Sequence, residues 1–508
     1  MLGSDRIALA RAAVAPSDAA RTRAAVLAVA AGIALLVVLL VAGAAPGLVT
    51  VPLAIGILAA VAIVPFPGAD RWFALGLLGP LPLLPPTGLS NVPLAAGVIG
   101  VAAVRIWFQP RSAPVPIRPV AILAILWGAV AFGLVFSAWP SPSVWLRPLA
   151  ILLIGAVASG LGLLVWLDPD RRDRWLDGLA LGVIVAAASA ILIFALQLFL
   201  PVIGIRNGVV DLMGYFRGEL AADKFADQNN WIIFGDRLTL RAVTPVLPAP
   251  NNLGGYLGLI VPLVGVRWFL APPGRWRWIA GVAAWLGVIA LVLTISRSSW
   301  LASVVAIGTA GLWLLRSDVR RLFWPAARGR ILQAAIGLVI ALAISIAGLL
   351  SVGQTGIEDR LVRPLEDPSV QDRVQIAEES ATAFVGDMLH GVGLGNWTAT
   401  ITEGDYIHNV YLEYGVAIGL FGAIWAVLLV AIPAASGVRF ARGRPAGPTT
   451  LLAIAIAAGA VFNAVQFLFD DNLFAPQFAW ALFWTIGGSL GLWYGRARVT
   501  VNPAEPAA

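Results

Sequence analysis

The chain has 508 residues, 59% of them hydrophobic and 12% charged, and its mean hydropathy is +0.88. No soluble fold of this length needs so much apolar surface, so the composition places the chain among integral membrane proteins. The absence of cysteine excludes disulfides, thiolate metal sites and thiol nucleophiles. The formal charge of +7 comes with no basic run interleaved with aromatics, so nucleic-acid binding has no support.

Apolar segments fall near 24–45, 47–65, 72–85, 91–108, 119–138, 146–167, 176–200, 251–270, 278–296, 299–316, 331–352, 409–435, 449–469 and 475–494. The first follows Arg21 and Arg23 and exceeds the apolar core of a cleaved signal, so it reads as a retained helix. The third is short and carries Pro80, Pro82, Pro85 and Pro86; with the fourth it either spans or re-enters as a pair. The expected fold is an all-α, polytopic membrane bundle of about 12–14 transmembrane helices. Charge orients it. With both termini inside, inward loops collect most of the 34 basic residues, among them Arg171, Arg172, Arg174, Arg267, Arg275, Arg277, Arg439 and Arg442. Outward loops take most of the 27 acidic ones, as the positive-inside rule requires. The expected location is the cytoplasmic (inner) membrane.

Two outward loops are long, 201–250 and 353–408, and loops of that length are usually functional or disordered. The first holds Trp231-Ile232-Ile233-Phe234 and an alternating piece, Arg237 to Arg241. The second holds an amphipathic helix, capped by Ser369, with Val374, Ala377, Ala381, Phe384 and Met388 on one face. That helix is expected to lie along the interface or to lid a site. Three parts follow: residues 1–240 with the first membrane helices and loop, a core at 241–435, and C-terminal helices with a short tail at 436–508.

His408 and His390 are the two histidines. His408 sits where the second loop meets an apolar helix, in Ile407-His408-Asn409-Val410-Tyr411-Leu412-Glu413. A neutral imidazole there can accept a hydroxyl proton, although a lone histidine at a helix start is more often just a hydrogen-bonded polar group. His390 reads as a turn residue. Arg297 lies in Ser296-Arg297-Ser298-Ser299-Trp300, between two apolar segments. An arginine inside a continuous helix would cost about 2.5–3.5 kcal/mol, which a tight outward hairpin avoids. Its bland alternative is snorkelling to the interface. Arg241 precedes Pro250-Asn251-Asn252-Leu253-Gly254-Gly255-Tyr256, where glycines at a helix entry permit close backbone approach. Arg373 opens the amphipathic helix, and its bland alternative is a solvated salt bridge. Arg206, Arg217, Arg237, Arg360 and Arg363 rank below these. Guanidinium groups suit a diphosphate, since each offers a rigid fork of donors. The outward acidic residues form no recognisable metal cluster, and Asp470-Asp471 reads as a solvated pair, so a metal-free mechanism without cofactor is favoured.

These residues resemble the O-antigen ligase and polymerase superfamily. The resemblance rests on the His408 block with Gly419 and Gly422, on Ser296-Arg297-Ser298-Ser299-Trp300-Leu301, on Arg241 with the Asn251-Asn252-Leu253-Gly254-Gly255 run, and on Arg373 followed by Gly391-Val392-Gly393-Leu394-Gly395-Asn396. One departure is Ala417, where the family often has an acidic residue; Glu413 is the nearer carboxylate. The resemblance implies inverting transfer or polymerisation of a glycan from an undecaprenyl-diphosphate-type lipid to a glycan, lipid or protein acceptor, in surface polysaccharide (for example lipopolysaccharide) synthesis. His408 and Arg297 would be catalytic, and Arg241, Arg373, Asn409 and Glu413 would bind substrate, at the outer face of the membrane. The alternative is a solute or inorganic-carbon transporter with the same membrane domain. Such a protein should carry polar groups near the midplane, and these segments are nearly free of charge.

Overall fold

The computed structural model describes residues 68–79, 115–137, 142–199, 232–234, 237–239, 249–314, 368–396, 407–442, 447–471 and 475–495, with Ala102, Ile106, Leu247, Ala343 and Leu473. The expected segments at 24–45 and 47–65, and all but isolated residues of those at 91–108 and 331–352, lie outside these. So do Arg241, Arg206, Arg217, Arg360 and Arg363. The chain divides into two units, 1–69 with 100–109, and 70–99 with 110–508; everything that follows concerns the second.

The described residues form an all-α bundle of twelve helices with one small hairpin. In chain order the helices are α1 (Ala69–Leu78), α2 (Ile117–Phe136), α3 (Pro142–Trp166), α4 (Pro169–Phe199), α5 (Pro250–Leu270), α6 (Arg275–Leu293), α7 (Arg297–Leu314), α8 (Pro368–Gly386), α9 (Val410–Ile418), α10 (Leu420–Arg442), α11 (Pro448–Gln466) and α12 (Pro476–Gly495). Strands β1 (Ile232–Phe234) and β2 (Arg237–Thr239) pair antiparallel within the first long loop, with Ile233 opposite Leu238. Among the described residues, seven helical stretches are long and apolar enough to cross a membrane: Ile117–Phe136, Pro148–Trp166, Pro169–Ala195, Pro250–Leu270, Arg275–Leu293, Leu420–Arg442 and Pro448–Gln466.

Small residues let these helices approach closely, as they do wherever membrane helices pack without a hydrophobic drive between them. Gly162, Gly487 and Gly491 lie against backbone of the facing helix where α3 meets α12. Helix α11 is the most enclosed of the seven spans, and its alanine-rich face packs on α5, α7 and α10. At one end of the bundle, charge does the joining. Asp177 of α4 is buried and receives Arg267 Nε of α5 at 2.9 Å and Arg71 Nε of α1 at 3.1 Å. Arg267 also reaches Asp173 at 2.9 Å, Arg174 pairs with Asp70 at 2.7 Å, and Arg71 lies over the Trp276 ring of α6. This is the end that the arginine distribution assigns to the inside.

Two sequence expectations are corrected. The apolar run 409–435 is two helices, α9 and α10, separated at Gly419, whose φ is +69°. The break is stabilised by the turn after α8. Leu420 N donates to Met388 O at 2.7 Å, Val392 N to Val416 O at 2.8 Å and Gly393 N to Ala417 O at 3.0 Å. Gly391 and Gly419 touch there backbone to backbone, and a Cβ on Gly419 would sit 2.6 Å from Met388 O. The apolar periodicity continues through the break, so composition alone does not reveal it. Helix α8 is also rotated from the expected face: Ile376 and Ser380 are buried, while Val374 and Met388 are exposed.

Candidate functional site

Five pieces of chain meet at the end of α5 far from the Asp177 network. Asn251 and Arg267 are sixteen positions apart on α5, about 24 Å at 1.5 Å per residue. The pieces are the start of α5, the α6–α7 turn, helix α8, the start of α9, and the loop after α11. Between them lies a pocket of about 360 Å³ lined by Arg297, Ser298, Leu301, Arg373, Val374, Ala377, Ile407, His408, Asn409, Leu468 and Phe469. Of the six residues singled out from the sequence, Arg297, Arg373, His408 and Asn409 line it. Glu413 is buried behind it, and Arg241 falls outside the described residues.

The arginine turn is tight, as its sequence implies. Helix α6 ends at Leu293, three residues follow, and Arg297 is the first residue of α7. The threonine and serines close it. Thr294 Oγ1 donates to Leu291 O at 2.7 Å and accepts from Ser296 N at 3.3 Å. Ser299 Oγ donates to Ser296 Oγ at 2.9 Å, and Ser296 and Ser298 share a hydroxyl contact at 3.0 Å. Ile295 takes a φ of +51°, an unusual state for a β-branched residue. Gly254 of α5 lies directly against Ser299, where a Cβ would collide with the hydroxyl, so the expected close approach at the α5 entry is real. Gln466, the last residue of α11, donates to both Asn251 O at 2.8 Å and Ser299 Oγ at 3.1 Å.

The histidine is held from the other side. His408 has a φ of +50°, and Asn409 follows as the N-cap of α9. Asn409 Oδ1 accepts from Leu412 N at 3.0 Å, and its Nδ2 donates to Leu468 O at 3.2 Å. A side chain that both caps its helix and grips the next loop fixes His408 beside it. His408 Nδ1 stands 4.0 Å from Asp471 Oδ1. Burial holds the imidazole below its usual range; Asp471 opposes that shift, and the Arg373 guanidinium adds to it. The group is therefore neutral near pH 7, the form that can accept a proton. His390 lies in an exposed turn with Nδ1 3.3 Å from Asp387, in keeping with a structural role.

Arg373 reaches from α8 to the loop after α11, with about a third of its side chain still exposed. Its NH1 donates to Phe469 O at 2.9 Å and lies 3.7 Å from Asp470 Oδ1, about a hundred positions along the chain. Asp470 is the residue whose importance sequence reasoning missed. The pair Asp470-Asp471 reads as solvated, but Asp470 is 1% exposed. It accepts from Ser298 Oγ and Asn251 Nδ2, each at 2.5 Å. It therefore joins the arginine turn, the α5 start and Arg373. Burial, more than any neighbour, pushes its carboxyl up to about 7; Arg373, Ser298 and Asn251 pull it down. The signal available in sequence was its placement in a short loop between two long apolar helices. Glu413 is also 1% exposed, and neither carboxyl oxygen has a hydrogen-bond partner among the described residues. Burial first, then Asp471, raises its pKa well above the usual carboxylate range.

Fold and pocket together define a multi-pass membrane protein with an arginine- and histidine-lined pocket among its described residues. Residues 282–427 match the family model described as O-antigen ligase. That stretch contains Arg297, Arg373, His408, Asn409 and Glu413, and the match bears out the resemblance read from the sequence. O-antigen ligase-like glycan transfer is the activity to which this similarity points. No curated protein matches the chain.

Proposed function

We propose that this protein transfers a glycan from an undecaprenyl-diphosphate-type lipid to an acceptor hydroxyl, with inversion, at the outer face of the cytoplasmic membrane. The observation that carries the reading is the meeting of Arg297, Arg373 and His408, from three separate elements, in one pocket. Arg297 and Arg373 supply two permanently charged forks for the diphosphate and for the negative charge that grows on it as the sugar departs. The acceptor oxygen attacks the anomeric carbon from the face opposite the diphosphate. The new C–O bond forms as the bond to the diphosphate oxygen breaks. The hydroxyl proton passes to His408 and is later lost to water, and the lipid diphosphate leaves with the bonding electrons. Asp471 faces Nδ1 and favours the imidazolium that forms. Arg241 is the proposed third guanidinium, Asn409 positions His408, and Glu413 supports the pocket from behind. The apolar wall of Leu301, Val374, Leu468 and Phe469 suits the first isoprene units of the lipid.

The test supplies a lipid-linked glycan and acceptor to purified wild type, His408→Ala and Arg297→Ala. Each substitution is expected to lower product formation at least about 100-fold while protein level and thermal unfolding stay unchanged, in line with loss of a general base or a charge-stabilising donor. Full activity in both variants overturns the reading.

A further inference from the structure

Asp470 sits between the pocket and the elements that build it, and it shares Arg373 with whatever anion the pocket takes. Its carboxylate is buried, and its oxygens are occupied by Ser298 from α7, Asn251 from α5 and Arg373 from α8. The charged and titratable groups around it are Arg373 and, from its own loop, Asp471, which in turn interacts with His408 and Glu413; Arg297 is the other cation lining the pocket. Without ligand, Arg373 offsets the buried negative charge. A diphosphate drawn to the same guanidinium would bring at least one further negative charge close to a carboxylate that cannot reach water. Two anions competing for one guanidinium, one of them a carboxylate shut off from water, are relieved most simply by a proton on that buried carboxyl.

We propose that Asp470 is a proton-linked counter-ion: it holds Arg373 and the arginine turn in register while the pocket is empty, and it takes up a proton when a diphosphate engages Arg373. The inference rests on the diphosphate reading given above. Asp470 is a positioning residue, acting through Arg373 and Ser298. It lies in the loop between α11 and α12, outside the membrane-spanning stretches, and its carboxyl already titrates near neutrality, at about 7. The sign follows by linkage. Well below pH 7 the carboxyl is protonated with or without ligand, and affinity has no contribution from it. Above pH 7 it must gain a proton on binding, so affinity falls by up to about tenfold per pH unit until the bound-state pKa is passed.

The experiment measures binding of a short-chain polyprenyl diphosphate, and separately of inorganic pyrophosphate, to the full-length protein in detergent between pH 6 and 9. Wild type is compared with Asp470→Asn, so that titration of the ligand itself cancels. The expected result is a steeper loss of affinity above pH 7 in wild type than in the variant. Should the variant fail to fold, infrared difference spectra of wild type serve alone: binding at pH 8 should produce a new protonated-carboxyl band. Parallel pH slopes in the two proteins, or no carboxyl band on binding, overturn the inference while leaving the diphosphate reading in place. Failure of wild type to bind either probe overturns both. Equal behaviour of the two probes assigns the linkage to the diphosphate group; binding of the lipid form alone assigns it to the lipid-anchored diphosphate.

Discussion

His408 and Ile295 are the two residues other than glycine with positive φ among the described residues; His408 lines the pocket, and Ile295 lies in the turn that presents Arg297 to it. Each such conformation costs about 1–3 kcal/mol and persists only where the surroundings enforce it. Here the enforcement is visible: Asn409 locks the chain after His408, and the threonine and serines lock the chain around Ile295. Strain concentrated at one pocket supports a functional reading of it. Two pH effects follow at this scale. His408 must be neutral to accept a proton, and its pKa is lowered, so the acid limb of the rate profile should lie below about pH 6.5, the value of an unperturbed imidazole. A limb above that value would show that another group titrates. Asp470 acts in the opposite sense on stability. Its folded pKa, about 7, exceeds that of an unfolded aspartate, so stability is full below about pH 4 and declines as pH rises towards 7. Thermal unfolding across that window should show a smaller decline in Asp470→Asn than in wild type.

At the scale of elements, the short helix α9 is what aims the histidine. It is set by its cap at one end and by the Gly419 break at the other. Asn409→Ala removes both the cap and the grip on Leu468 O and should cost about 0.5–2 kcal/mol in unfolding free energy. It should also reduce turnover more than the stability loss explains, because His408 loses its fixed neighbour. Gly419→Ala places a Cβ against Met388 O in a left-handed backbone and should cost more than about 1 kcal/mol. Because the same contact ties α8 to α9, this substitution should also weaken ligand binding through Arg373. Chemical denaturation with ligand titration separates the two effects. Normal binding in Gly419→Ala would show that the α8 connection does not position Arg373.

Among the described residues of the second unit, a buried charge network and the pocket lie at opposite ends of α5. The Asp177 network joins α1, α4 and α5 at one end, and the pocket lies at the other. Asp177→Ala leaves Arg267 and Arg71 without their shared carboxylate and should destabilise by about 3 kcal/mol, as loss of one partner in a buried ion pair does. Pyrophosphate affinity per folded molecule should not change. A parallel loss of affinity would mean that the two ends are coupled through α5.

The sequence by itself determined the all-α membrane class, the edges of most spans among the described residues, the tight turn at Arg297 and the choice of His408, Arg373 and Asn409 as candidates, all three of which line the pocket. Each of these is a local property: an apolar run, an arginine that a continuous helix would not tolerate, a capping residue before a helix. The tertiary structure alone decided what lies between such segments in space. It broke the run 409–435 at Gly419, because the stabilising hydrogen bonds come from residues 388–393. It rotated α8, because the pocket rather than the core takes Val374 and Ala377. It turned Asp470 from an exposed loop carboxylate into the buried link between Ser298, Asn251 and Arg373, because burial depends on chain brought from some hundred to two hundred positions away, which no local pattern records.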